Sequence, residues 1–263
     1  SISNTLASNS WATIRAVSDA GKGSNYWSVG DAKGITINGK VGATTFSNLA
    51  ISVFILGFNH NASREGSNRI HFQIGKINGT LVGLVDGNYS NYTSTTGAFT
   101  MNTSNTNSGG WNNSHMRKTV LGSNSASATS PAANTLLAAL PADLRAVMKP
   151  ATKYSDNTGG GSDTASYVTS TTDLLPLLSE FEYHGVRSYA NSAEKNYQAQ
   201  YDYYRAGNSK VHYRHNATGT AALAWCRSVR SSYGTSFCRV YTDGGASISG
   251  ADYSWALAPC FFV

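Results

Sequence analysis

The sequence predicts a loop-rich α+β fold with short antiparallel strands and a few helices. Apolar residues alternate in short runs, the pattern of half-buried strands, and helical spacing is confined to a few short segments. Gly, Ser, Thr and Asn are abundant between these segments, whereas charged residues make up only 13% of the chain. Because 40% of the residues are hydrophobic, the chain can bury a sizeable core, and we expect a single domain over residues 1–263.

The N-terminal elements follow from local patterns. An apolar stripe from Trp11 to Val17 indicates a short helix, and Ser10 is a suitable N-cap. Two β-rich runs follow, "GITING" and "AISVFILGFNH". The next segment, "NRIHFQIGKINGTLVGLVDG", is typical of a β-hairpin because Asn78-Gly79 is a strong two-residue turn signal.

A polar loop from residue 88 leads into another short helix. Asn112 or Asn113 is the expected cap, and Met116, Val120 and Leu121 would form the inner face.

The clearest helical region is "NTLLAALPADLRAVMKPATKYS", which Pro141 divides into two short helices and Pro150 ends. "SDNTGGGSDTAS" indicates a flexible loop, and "DLLPLLSEFEYHG" a buried strand or short helix. "SAEKNYQAQYDYYRAG" predicts a polar helix with Tyr197, Tyr201 and Tyr204 on one side. The remainder predicts short strands separated by Gly and Ser turns.

Composition argues against two classes of partner. The net charge of +6 is dispersed, with no basic run longer than Arg117-Lys118, so a nucleic-acid-binding protein is disfavoured. No apolar run approaches the ~20 residues of a membrane span. No signal peptide is recognised at Ser1.

The three cysteines do not form an even disulfide framework. Buried free thiols are the favoured interpretation, and a Cys226–Cys238 bridge is the open alternative.

Histidine and acidic residues provide no specific catalytic or metal-binding motif. His60 and His71 lie in predicted strands, where a hydrogen-bonded core or edge histidine is the favoured interpretation. His184 stands near two glutamates but without zinc-site spacing. A calcium site at Asp156, Asn157 and Asp163 is an alternative to a solvated loop. We therefore expect no catalytic residue, no metal and no cofactor.

The C-terminal segment uses a different set of residues from the rest of the chain. From Val229 onward it contains no Lys, Glu, Gln, Met, His or Asn, although Asn is abundant before it. We call residues 225–263 the tail.

Its "AWCRS…SFCRV…DGGAS…APCFFV" pattern resembles the end of an uncharacterised domain family common in gut bacteria and their phages. The matching tail residues are Trp225, Arg227, Ser228, Phe237, Cys238, Val240, Gly244 and Pro259. Five further segments match: "YWSVGD" (26–31), "FILGFNHN" (54–61), "GGWNNSHMR" (109–117), "ALPADLRAVMK" (139–149) and "LLSEFEYHG" (177–185).

Many members of that group resemble the variable proteins of diversity-generating retroelements, which have a C-type-lectin-like fold of the formylglycine-generating-enzyme-like subtype. In such systems a reverse transcriptase copies a template with errors at adenines. From AAC or AAT codons the accessible residues exclude Lys, Glu, Gln, Met and Trp. The resemblance therefore implies a tail that was written by such a process, with Trp255 either part of the template-encoded scaffold or a departure from the pattern.

The resemblance implies non-catalytic recognition of a protein or glycan on a host or neighbouring cell, by a domain displayed on a phage virion or a bacterial cell surface. Trp225, Arg227, Phe237, Val240 and Leu257 would hold the fold. Rigid aromatics, arginines and small polar residues between them are typical of a paratope. The predicted ligand-binding residues are Arg230, Tyr233, Ser236, Arg239, Tyr241, Asp252, Tyr253 and Trp255.

Two alternatives stay open. A fixed lectin would stack sugars on exposed Trp and Tyr rings, and Asp243 and Asp252 are the acids near the tail that could hold calcium. A cysteine-dependent oxidase of the related fold would use Cys226 and Cys238.

Overall fold

The computed structural model describes residues 1–94 and 97–263, which form a mixed, loop-rich α+β architecture. The predicted polar loop after residue 88 includes residues 95 and 96, which lie outside the described residues. The strands are β1 (Ala32–Val41), β2 (Thr44–Phe58), β3 (Ile70–Ile77), β4 (Thr80–Gly83), β5 (Ala151–Asp156), β6 (Val168–Asp173), β7 (His212–Arg214), β8 (Ala217–Ala222), β9 (Ala224–Val229), β10 (Ser236–Val240), β11 (Ala246–Gly250) and β12 (Cys260–Phe262). The α-helices are α1 (Trp11–Asp19), α2 (Gly23–Tyr26), α3 (Ala62–Glu65), α4 (Leu136–Ala139), α5 (Ala142–Arg145), α6 (Glu180–His184) and α7 (Asp202–Arg205). Short 3₁₀ turns cover Leu6–Ser8, Ala165–Tyr167 and Ser192–Asn196, and a π-helical turn covers Met116–Leu121.

The largest sheet joins the two ends of the chain. Its strand order is β1-β2-β3-β4-β7-β8, and β12 pairs with β3. β4 and β7 are parallel, whereas the other pairs are antiparallel. Because Cys260 faces Gln73 across β12 and β3, the last residues of the chain lie in the centre of the sheet. One apolar cluster consequently extends from Leu6 to Val263.

The predicted hairpin is confirmed. β3 and β4 are joined by Asn78 and Gly79, whose φ angles are 49° and 78°, and Ile77 pairs with Thr80. Positive φ at both turn residues matches the right-handed twist of the flanking strands.

The predicted N-terminal helix and the helix pair around Pro141 are also confirmed. The Ser10 hydroxyl accepts a hydrogen bond from the Thr13 amide at 3.1 Å, so it caps α1 as expected. Pro141 separates α4 from α5, and the apolar stripe through this region is buried.

Two local predictions were wrong. The turn at Met116 is not capped by Asn112 or Asn113; the Ser114 hydroxyl accepts from the Arg117 amide at 3.0 Å instead. The polar helix predicted over residues 192–207 is a 3₁₀ turn and the separate helix α7.

Tertiary contacts explain why that helix is broken. The Tyr201 hydroxyl accepts a hydrogen bond from Lys153, and the Tyr204 hydroxyl donates one to Gln73, inside the core. Both tyrosines are fully buried, so these contacts override the local helical pattern.

The segment "DLLPLLSEFEYHG" was expected to form a buried strand or a short helix, and its second half forms the helix α6. Ser179 and Glu182 form a capping box, in which each side chain accepts a hydrogen bond from the other residue's amide. Within the described ranges, no helix has the length and apolar character needed to cross a bilayer.

Candidate binding surface

The tail forms a small antiparallel sheet with one anchored side. Its strand order is β11-β10-β9, with Arg239 facing Ser247 on one side and Trp225 on the other. The five side chains expected to hold the fold are all at most 1% exposed: Trp225, Arg227, Phe237, Val240 and Leu257. Some of the residues that separate them are exposed to solvent, including Tyr233 and Tyr241.

Arg227 attaches the tail to the rest of the protein. Its guanidinium donates to the Glu182 carboxylate, to Ser155 Oγ at 2.8 Å and to the Leu177 carbonyl at 3.0 Å. Burial disfavours ionised Glu182, but Arg227 and Lys153 outweigh burial and hold the pKa of Glu182 well below its ordinary value. Two of the segments that carry the family resemblance thus meet in one buried ion pair.

The first part of the candidate surface lies around Trp255. Tyr253 stacks on Trp255 with ring centroids 5.5 Å apart and planes at 3°. Arg239 lies over the same indole, with Cζ 5.0 Å from the ring centroid, and contacts Tyr241 at 5.8 Å. Tyr241 is 45% exposed, so this group reaches the surface.

Residues before the tail complete this group, and the sequence analysis did not identify them. The Tyr89 ring meets Trp255 edge-on at 5.2 Å, and Tyr92 meets Tyr253 at 4.9 Å. Arg214 lies over Tyr89, with Cζ 4.2 Å from the ring centroid. Tyr89 and Tyr92 lie in a loop rich in Asn, Ser and Thr, where a tyrosine has no obvious packing role. Their position in such a loop is the feature of the sequence that could have marked them as binding residues.

A second part lies at the turn between β9 and β10. Arg230 stacks on Tyr233, with Cζ 3.6 Å from the ring centroid, and Tyr233 is 51% exposed. Arg230 also lies over the Tyr189 ring, with Cζ 5.7 Å from its centroid. The Tyr189 backbone is held by the Glu180 carboxylate, which accepts a hydrogen bond from the Tyr189 N–H at 2.9 Å. Asn107 holds the turn by donating to the Tyr233 and Ser236 carbonyls.

The remaining predicted residues are less accessible. Ser236 is 6% exposed and Trp255 is 7% exposed, so both lie beneath the surface rather than on it. Trp255 donates to Ser249 Oγ at 2.8 Å. Asp252 is half-buried, and one of its carboxylate oxygens is buried without a hydrogen-bond partner.

The arginines of the surface carry uncompensated charge. Among the described residues, ion pairs form elsewhere, and none involves Arg214, Arg230 or Arg239. Burial lowers the pKa of Arg239, although a guanidinium stays protonated at neutral pH. An anionic group on a ligand would offset the cost of this partial desolvation.

The thiols are poorly suited to nucleophilic or redox chemistry. All three cysteines are free and buried. Burial raises the pKa of Cys226 and Cys238 well above the ordinary value and raises that of Cys260 to about 12. A thiolate, the reactive form, is therefore disfavoured at each position.

A cluster of potential metal ligands in the core surrounds the ammonium group of Lys153. Donor atoms of His60, Glu65 and Glu182 lie within 4.8 Å of one another. The Lys153 ammonium lies 2.6 Å from Glu65 and 2.7 Å from Glu182, where a metal ion would otherwise neutralise them. Burial lowers the pKa of His60 to about 3, so its imidazole is neutral and takes no part in the charge balance.

Three of the four acids considered for calcium contact donors of the protein itself, whereas Asp252 has one carboxylate oxygen without a partner. Asp156 accepts from the Thr158 and Gly159 amides at 3.0 Å and from Asn191 at 3.1 Å. Asp163 pairs with Arg187 at 3.1 Å. Asp243 accepts from the Gly245 amide at 2.8 Å within its own turn. These contacts support a hydrogen-bonding role for the three carboxylates.

Comparison with known proteins places the chain in one family. No curated protein and no solved structure matches it. A family model described as "Domain of unknown function (DUF6273)" matches residues 89–263, which is more than half of the chain and includes the entire candidate surface. The chain therefore belongs to the DUF6273 family.

Proposed function

We propose that the protein is a non-catalytic recognition protein that binds its ligand through the outer face of the tail. The observation that carries this proposal is the separation of roles within the tail. Apolar anchors and Arg227 are buried, whereas Tyr233 and Tyr241 are exposed. Arg230 and Arg239 are half-buried beside these rings and form no ion pair within the described part of the chain. Aromatic and arginine side chains dominate the binding energy of protein interfaces.

We further propose that this surface is diversified by a retroelement on a C-type-lectin-like scaffold, displayed by a phage or at a bacterial cell surface. The mixed α+β architecture with short antiparallel strands and long loops supports the scaffold assignment. Burial of Trp255, whose codon such a process cannot produce from Asn codons, supports its role as an invariant residue. The raised thiol pKa values favour recognition over a cysteine-dependent oxidase.

The test is to sequence the coding DNA and its flanking region. We expect a near-copy of codons 225–263 that differs almost only at adenines, next to a reverse-transcriptase gene. The differing codons should include those of Tyr233, Arg239 and Tyr241 and should spare those of Trp225 and Arg227. Absence of such a copy would make the tail a fixed surface, and binding of the purified domain to a glycan array would then test the lectin alternative.

A further inference from the structure

The aromatic groups around Trp255 form a continuous row that crosses the boundary of the tail. Its members are Arg214, Tyr89, Trp255, Arg239, Tyr253 and Tyr92, and we call them the arginine–aromatic row. Successive contacts run from Arg214 to Tyr89 at 4.2 Å, to Trp255 at 5.2 Å and then to Arg239 at 5.0 Å. Half of the row therefore comes from outside residues 225–263.

The two arginines of the row are placed to donate. Within residues 1–94 and 97–263, neither Arg214 nor Arg239 forms an ion pair, and Arg214 Nε is buried without a hydrogen-bond partner. Arg214 and Arg239 lie over the Tyr89 and Trp255 rings, and Arg239 Nε donates to Ser247 Oγ at 3.2 Å, so the terminal nitrogens of Arg239 are the donors that a partner would meet. A planar carboxylate is the acceptor that matches a guanidinium edge.

The aromatic faces are poorly placed for a sugar. Trp255 is only 7% exposed and is covered by Tyr253 and Arg239. The Tyr89 ring lies against Arg214, and its hydroxyl accepts from the Leu223 amide at 2.8 Å. A sugar platform needs an open ring face, which neither Trp255 nor Tyr89 offers. Tyr92 and Tyr241 are 52% and 45% exposed and can pack against a protein partner.

Resting on the proposed recognition function, we propose that the arginine–aromatic row is a binding site shared between the tail and residues before it, and that its partner is a protein face rich in Asp and Glu. Carboxylates of the partner accept from Arg214 and Arg239, while Tyr92 and Tyr241 pack against apolar parts of the same face. Tyr89 and Arg214 supply a fixed preference for acidic partners, and the exposed tail residues select among them.

The experiment uses a display library of random peptides, selected on the purified full chain. The affinity of an enriched peptide is then measured for the wild type and for Arg214→Gln, Arg239→Gln and Arg205→Gln. Arg205→Gln is the control, because it removes the same charge at a position outside the row. Arg205 is a 69% exposed residue of α7 and pairs with Asp202. Thermal melts verify that each variant is folded. We expect enrichment of Asp and Glu, and a loss of affinity of about ten-fold or more for Arg214→Gln and Arg239→Gln but not for the control.

The outcomes separate this inference from the proposed function. Loss of binding with Arg239→Gln but not with Arg214→Gln confines the site to the tail, which overturns the shared site and leaves the proposed function standing. Enriched peptides without acidic residues overturn the partner class. Equal affinity in all variants, together with unchanged binding after Tyr233→Ala and Tyr241→Ala, contradicts the proposed function itself.

Discussion

At the scale of single residues, Arg227 joins the tail to the rest of the protein through a buried charge. It is fully buried together with Glu182 and Lys153. Burying a charge is costly unless it is paired and hydrogen-bonded, and here the guanidinium is both. Removing Arg227 would leave Lys153 to compensate both Glu65 and Glu182.

We therefore expect Arg227→Met to lower the free energy of unfolding by about 3–5 kcal/mol, as for other broken buried ion pairs. Urea denaturation measures the change. Arg205→Met is the matched control, because the Arg205–Asp202 pair is exposed and should contribute less than about 1 kcal/mol. A comparable loss in both variants would show that the buried pair is not specifically stabilising.

Glu194 gives the protein a predicted pH dependence. Burial raises its pKa from 4.5 to about 7, and one carboxylate oxygen has no partner. The neutral form is favoured in the fold, so this contribution to stability is complete below about 4.5 and is lost as the pH rises through about 7. The Asp156 backbone amide, which donates to Glu194 at 2.7 Å, and the Arg227 charge oppose this shift, whereas the Asp156 and Glu180 carboxylates reinforce it.

Glu194→Gln tests this dependence. The amide cannot ionise, so the variant should lack the loss of stability, on the order of 3 kcal/mol, that the wild type shows once the pH is well above 7. Urea unfolding at pH values below and above this range provides the comparison. Identical pH profiles for the two proteins would contradict the assignment to Glu194.

At the scale of elements, the β9–β10 turn depends on a residue far away in sequence. The Asn107 side chain donates to the carbonyls of Tyr233 and Ser236. The Asn107 backbone N–H donates to the Gly234 carbonyl at 2.8 Å. This bracing fixes the turn on which Arg230 and Tyr233 present their side chains. Local sequence could not reveal it, since Asn107 lies in a long polar loop.

Asn107→Ala should loosen this turn without unfolding the protein. Loss of two hydrogen bonds, each contributing about 1 kcal/mol, should speed amide hydrogen exchange of residues 231–236 by at least about ten-fold. Asn216→Ala, at an exposed position between β7 and β8, is the control and should leave the exchange of this turn unchanged. No acceleration in Asn107→Ala would mean that the backbone contact alone holds the turn.

At the scale of the whole molecule, the sequence predicted what depends on neighbours along the chain. The α1 cap, the Asn78-Gly79 turn and the break at Pro141 are local signals, and all three are confirmed. The broken helix at Tyr201 and the contact of Tyr89 with Trp255 depend on residues far apart in sequence. The sequence accordingly proposed binding residues in the tail, of which Ser236 and Trp255 are buried, and it gave no contact that would place Tyr89, Tyr92, Arg214 and Tyr189 beside them.

The division between anchors and surface leads to a final prediction about the tolerance of the whole fold to change. Substitution libraries at Tyr233, Thr235 and Tyr241 should retain stability within about 0.5 kcal/mol of the wild type, since these side chains are exposed. Libraries at Trp225 and Phe237 should lose several kcal/mol, because smaller residues leave cavities in the core. Protease resistance of the displayed variants, read by sequencing, measures both sets in one experiment. Equal sensitivity of the two sets would show that the tail cannot vary its surface independently of its fold, which a diversified receptor requires.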